Sequence, residues 1–321
     1  MTNPGWGGAA SEGTPPPQPR CVRHPDRPTA LSCTRCGRPA CPDCLRAASV
    51  GHQCVDCVAA GQREMPQART VSGAQIRTQN PTPVVTYALM ALNVLIFAIT
   101  ALQAKSLMDN GGGVINRFTG VATFDSPLFG RLVLAPDLVA QGEWIRLLGS
   151  GFLHFGLVHL AVNMFALWVL GRDTEFVLGR SRYLAVYLLA LFGGSASALT
   201  FESLGAFTAG ASGAIFGIMG AQAVLLLRMR RSANPILAVI GLNIVISLTV
   251  PGISLWGHIG GLVVGAAATA VLVYAPTGQR TAADLARSRT LGWVGLAAVG
   301  VLVAGLIALR VVGLRDQMGL A

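Results

Sequence analysis

Apolar stretches recur along most of the chain, at about 84–102, 152–170, 183–200, 207–227, 236–253, 255–274 and 291–309, and polar residues collect between them. Each approaches the roughly 20 residues that a helix needs to cross a hydrocarbon layer about 30 Å thick. The pattern predicts seven spans, the fifth and sixth separated by almost nothing. The expected fold class is therefore all-α, a polytopic membrane helical bundle. The 103–151 connection is long for one between helices, and its Phe118, Phe124, Phe129 and Trp144 predict a partly inserted loop with short helices.

Composition agrees with this pattern, because 52% hydrophobic and 12% charged residues in a chain of 321 is too apolar for a soluble domain. The net charge of +10 comes from arginines before the first span and between spans, a mark of topology rather than of a nucleic-acid-binding face. No nucleic-acid partner is expected. A cytosolic amino terminus puts Arg172, Arg180, Arg182, Arg228, Arg230, Arg231, Arg280, Arg287 and Arg289 on the inner side. The outer 103–151 loop balances four basic with four acidic residues, and the carboxy terminus falls outside.

Residues 1–20 are rich in Gly, Pro and Ser, lack the apolar core of a secretory signal, and are expected to be disordered. All seven cysteines lie in 21–57, and the polar 58–83 segment reads as a flexible tether. Six spans fill 84–274, a connection at 275–290 leads to the seventh span at 291–309, and 310–321 form a tail.

Within 21–57, Cys21 with His24, Cys33 with Cys36, Cys41 with Cys44 and Cys54 with Cys57 make four ligand pairs, enough for two tetrahedral zinc ions. The pairs could join sequentially or as a cross-brace; the spacing resembles B-box-type fingers, which favours the cross-brace. His52 is a spare ligand candidate. Such closed sites are structural, and thiolates need a reducing compartment, which again places this module in the cytosol. It could bind a cytosolic protein partner or simply cap the amino terminus.

The candidate chemistry lies in the membrane. Gly210-Ala211-Ser212-Gly213 in the fourth run and Gly257-His258-Ile259-Gly260-Gly261 in the sixth each set one reactive side chain among glycines that let helices touch. Counted along their runs, Ser212 stands about five residues in and His258 about three, a depth of roughly 5 to 8 Å below the outer boundary. His159 and Asn163, one turn apart, share a face near the outer end of the second run. The six core runs contain no Asp, Glu, Lys or Arg, so a catalytic triad would lack its acid. A serine-histidine dyad remains, its imidazole oriented by packing, with Phe216 on the serine's face able to stack on the ring. Backbone N–H groups around Ser212, with His159 and Asn163, could hold an oxyanion.

Taken together, these residues resemble the rhomboid family of intramembrane serine proteases. The resemblance covers about 143–274 and includes Trp144-Ile145-Arg146, His154, His159 and Asn163, Glu175, Gly179-Arg180 and the two glycine-flanked motifs. It implies a six-helix rhomboid core plus a seventh carboxy-terminal helix, with Ser212 as nucleophile and His258 as base. His159 and Asn163, with Gly210 and Gly213 beside the serine, would form the oxyanion and substrate-binding region. His154, Phe216, Trp144, Arg146 and Glu175 would be supporting residues, His154 preceding the regular helix and reaching back. No catalytic cofactor is implied. The substrates would be single-pass transmembrane proteins in the lipid bilayer, cut near the outer face of a bacterial plasma membrane, with the fifth span and the loop before it as gate. A rhomboid-like adaptor without hydrolysis is the competing function. A transporter fits less well, since coupling usually requires an intramembrane carboxylate.

Overall fold

The computed structural model describes residues 18–64, 82–111, 113–115, 122–274 and 281–320. The disorder expected of 1–20 and the tether expected at 58–83 fall largely outside the described residues. The chain divides into two compact units, Met1–Gln67 and Ala68–Ala321.

In the first unit a 3-10 turn, Pro42–Cys44, leads into β1 (Leu45–Ala47), which pairs antiparallel with β2 (His52–Cys54); α1 (Val55–Glu64) follows. Its core is Cys21, Cys33, Cys41, Cys44 and Cys54 with little beyond Ala40 and Leu45. So small an apolar core does not normally hold a fold without a cross-link or a metal. α1 also covers the beginning of the segment read as a tether. Arg35 holds it by donating to the Cys57 carbonyl and pairing with Glu64 at 3.1 Å.

The second unit starts with α2 (Val84–Ala104). The long connection then carries β3 (Gly113–Ile115), paired with β4 (Ala122–Phe124), and three short helices, α3 (Pro127–Leu132), α4 (Pro136–Ala140) and α5 (Arg146–Gly149). α6 (Leu157–Ala166) passes through a π-helical stretch, Leu167–Gly171, into α7 (Arg172–Leu178). The rest is helical: α8 (Arg180–Phe201), α9 (Ser212–Arg228), α10 (Asn234–Thr249), α11 (Leu255–Val273) and α12 (Ala282–Met318). The two strand pairs are a departure from the all-α expectation; both are three residues per strand.

Each of the seven apolar runs carries a helix, but the helices differ in reach. Among the described residues four helices are long and apolar enough to cross a membrane (α2, α8, α11 and most of α12), and a fifth span results if Arg146–Phe152 and Leu157–Leu178, bent by 90°, count as one. α9 and α10 are shorter, at 17 and 16 residues. The chain is an integral membrane protein on this evidence. α12 is longer than the 291–309 run because a capping box between Thr281 and Asp284 starts it early and Gly319, at φ 66°, ends it late.

Three helices form the packed centre. α8, α9 and α11 meet along glycines: a Cβ on Gly261 would overlap the Gly213 carbonyl, and one on Gly265 would overlap the Gly217 backbone. α10 sits far less deeply, with only Ile236, Ile240 and Ser247 buried. The connection before α6 is clamped by Arg146, whose guanidinium donates to Glu143 and to the carbonyls of Gly130 and Val133. Glu175 is buried at the start of α2 and accepts from the Val85 and Thr86 N–H groups and the Thr86 hydroxyl. A carboxylate there satisfies helix-end donors that the membrane would leave unpaired.

Candidate active site

Ser212 is not five residues into a span, because 207–211 is irregular and the serine is the first residue of α9. Two interactions hold the preceding segment. Leu134 and Thr208 exchange both backbone hydrogen bonds, and the Gly210 N–H donates to the Ser150 carbonyl at 2.9 Å. Gly210 has φ +138°, a region costly for any residue with a side chain. Irregular backbone at this depth is tolerable where neighbours or a cavity satisfy it.

On the facing helix, Ser254 caps α11 by accepting from the Gly257 N–H, and its own hydroxyl donates to Glu202. His258 follows in the first turn, with Nε2 2.7 Å from Ser212 Oγ. Phe216, one turn beyond Ser212, stacks on the imidazole with centroids 4.1 Å apart and planes 11° from parallel. The other ring nitrogen is also engaged. Nδ1 lies 2.8 Å from Ser247 Oγ of α10, so the imidazole is held by a hydroxyl as well as by packing.

His159 Nδ1 accepts the Phe155 N–H at 3.2 Å, which leaves the ring proton on Nε2. A Cβ on Gly210 would lie 3.1 Å from that nitrogen and 3.4 Å from Ser212 Oγ, so the His159 donor stands beside the serine. Asn163 Nδ2 donates one hydrogen to the His159 carbonyl at 2.9 Å and has a second to offer. Gly210 cannot serve as an oxyanion donor, because its amide is already spent on Ser150. The Gly213 N–H, in the first turn of α9, has no intrahelical acceptor and remains available.

These groups border one cavity of about 910 Å³, which no Asp, Glu, Lys or Arg among the described residues lines. His154 lies behind it, before α6, fully buried and 5.1 Å centroid to centroid from His159, with neither ring nitrogen hydrogen-bonded. Trp144, Arg146 and Glu175 are elsewhere. Trp144 is half exposed, and the other two make the structural contacts described above. Chemically, the cavity brings a hydroxyl on a ring nitrogen together with N–H donors among the residues that line it, with no Asp, Glu, Lys or Arg among them. A negative charge developing next to Ser212 would be stabilised there.

The cysteine unit contains two further clusters. Cys21, His24, Cys41 and Cys44 form one, and Cys33, Cys36, Cys54 and Cys57 the other, each with its ligand atoms within 4.8 Å of one another. First pair joins third and second joins fourth, the cross-braced arrangement; His52 belongs to neither. Backbone N–H donation, chiefly from Cys41, lowers the Cys21 thiol to about 6, while burial first and the neighbouring Cys41 next push Cys44 up to about 11. The thiols of one cluster therefore resist losing their protons together unless a cation is present. Three sulfurs with one imidazole, and four sulfurs, are donor sets that fit zinc.

A family model described as a rhomboid domain matches residues 141–275, which contain every residue lining the cavity except Leu134. The chain is 38% identical over 199 residues to Rhomboid protease GluP of Bacillus subtilis, covering 60% of this chain and 36% of that protein. It is 30% identical to RHOMBOID-like protein 4 of Arabidopsis thaliana (57% and 51% covered). It is also 30% identical to Rhomboid-type serine protease 2 of Emericella nidulans (71% and 42%). The chain thus spans between about a third and a half of the length of these relatives. With the matched segment enclosing the serine, the histidine and the glycine seam between their helices, residues 141–275 of this chain form a rhomboid domain.

Proposed function

We propose that this protein is an intramembrane serine endopeptidase, with Ser212 as nucleophile and His258 as general base. The observation that carries it is the 2.7 Å approach of His258 Nε2 to Ser212 Oγ inside a cavity bordered by N–H donors. As Oγ attacks the scissile carbonyl carbon, its proton passes to Nε2. The resulting oxyanion accepts hydrogen bonds from His159 Nε2, Asn163 Nδ2 and the Gly213 N–H. Collapse breaks the C–N bond, and the Nε2 proton goes to the leaving amine. Water from the cavity then attacks the Ser212 ester, giving its proton to Nε2, and the regenerated Oγ takes that proton back. Two halves of the peptide leave and no net proton is stored.

The substrates are single-pass transmembrane proteins cut near the outer membrane face. Six core spans (α2, α6 with α7, α8, α9, α10 and α11) and α12 as a seventh suit this, with the amino terminus in the cytosol of a bacterium. The interspan arginines support that orientation, and so does the cysteine unit, which needs a reducing compartment to keep zinc thiolates. In the first unit two zinc ions serve the fold, and a cytosolic protein is its natural partner.

The test is proteolysis in liposomes containing a tagged single-pass substrate, with wild type, Ser212→Ala and His258→Ala. Cleavage confined to the wild type supports the assignment. Equal cleavage by Ser212→Ala would overturn it.

A further inference from the structure

Both nitrogens of His258 have hydroxyl partners, and the second partner belongs to the least embedded helix of the core. Ser247 is the last buried residue of α10 and the only polar one. Its Oγ lies 2.8 Å from the Asn243 carbonyl, one turn back, and 2.8 Å from His258 Nδ1. A serine has one hydroxyl proton. The carbonyl can only accept, so that proton goes to Asn243, and Oγ faces Nδ1 with a lone pair.

We infer that Ser247 is a positioning residue for the base: it accepts the Nδ1–H of His258, fixing the tautomer whose Nε2 lone pair points at Ser212. This inference rests on the protease function proposed above. A buried acid commonly does this job, selecting the tautomer and steadying the imidazolium that forms when the serine is deprotonated. The cavity has no such acid among the described residues. The chain Ser212 O–H to His258 Nε2, Nδ1–H to Ser247 Oγ, and Ser247 O–H to the Asn243 carbonyl supplies a neutral substitute, three hydrogen bonds in one direction. If the hydroxyl instead donated to Nδ1, the proton would sit on Nε2 and the ring could not act as base. Serines commonly bond back to the carbonyl one turn earlier in membrane helices. Here that habit is what frees the lone pair for the histidine.

The experiment compares wild type, Ser212→Ala, Ser247→Ala, Ser247→Thr and Ser247→Val in detergent, with kcat and KM measured on a transmembrane substrate and active sites counted by fluorophosphonate titration. Ser247→Ala is expected to lose about tenfold in kcat with KM changed by less than about twofold, the size of one buried hydrogen bond expressed in the barrier. Threonine, which keeps the hydroxyl, should recover activity to within about threefold of wild type, and its isostere valine should not. The threonine–valine pair decides even if alanine lowers the number of titratable sites. Valine matching threonine, a Ser247→Ala kcat like that of wild type, or a loss confined to KM would overturn the inference while leaving the protease function standing. A wild type no more active than Ser212→Ala would bring down the protease function and this inference with it.

Discussion

At the scale of residues, the site depends on where protons and carbons are allowed to be. His159 receives a backbone N–H on one nitrogen and therefore offers the other, while His258 has its two nitrogens between hydroxyls. Gly210 leaves space for this arrangement: a side chain there would meet His159 at about 3.0 Å, on a backbone at φ +138°. Gly210→Ala is expected to cost about 1–3 kcal/mol of strain at the site and to slow fluorophosphonate labelling at least about tenfold, with helix content by circular dichroism unchanged. Labelling at the wild-type rate would mean that the 207–211 segment relaxes without disturbing the histidine. The two glycine-flanked motifs could be read from sequence because close helix contact demands small residues at fixed spacing. Ser247 could not, since a serine four residues after Asn243 in an apolar run looks like any serine bonded back to its own helix. What distinguishes it is an approach from another helix, and that exists only in three dimensions.

At the scale of elements, each apolar run carries a helix, but hydropathy did not mark every helix end, and it missed α1, which begins in the cysteine unit and runs into the segment read as a tether. The 207–211 segment, Phe-Thr-Ala-Gly-Ala, is apolar enough to prolong the fourth run, yet its backbone is claimed by Leu134 and Ser150, residues more than 50 positions earlier. Pairings of that kind are invisible to a local pattern, as are the short strands of the long connection. α9 consequently starts at Ser212, and its first-turn N–H groups, without intrahelical acceptors, fall at the cavity that Ser212 and Gly213 line. The seam between α9 and α11 was legible as small-residue spacing, and its tolerance should be low. Gly261→Val would force a side chain into the Gly213 carbonyl and is expected to lower the thermal midpoint in detergent and abolish labelling, since overpacking costs about 1–3 kcal/mol even in forgiving cores. Gly241→Val on α10, where nothing lies within 4 Å, should change neither. Equal behaviour of the two variants would remove the seam from the account.

At the scale of the whole molecule, the two units are stabilised by different physics. The membrane unit buries apolar side chains and helix-end donors inside a bundle, whereas the cysteine unit has almost no apolar core and depends on its ligand clusters. Metal analysis of protein purified under reducing conditions should give two zinc per chain. A strong chelator should then unfold the amino-terminal unit, detectable as new protease sensitivity within 21–57, without abolishing active-site labelling. Zinc content near zero in folded protein would contradict the metal assignment.

The central claim is that the Ser212 hydroxyl is made nucleophilic by the imidazole 2.7 Å away. It is tested most directly by treating the purified protein with a fluorophosphonate and mapping the adduct by peptide mass spectrometry. One phosphonyl group on Ser212 is expected, absent from His258→Ala and from Ser212→Ala. An adduct on another residue, or full modification of His258→Ala at the wild-type rate, would contradict the account.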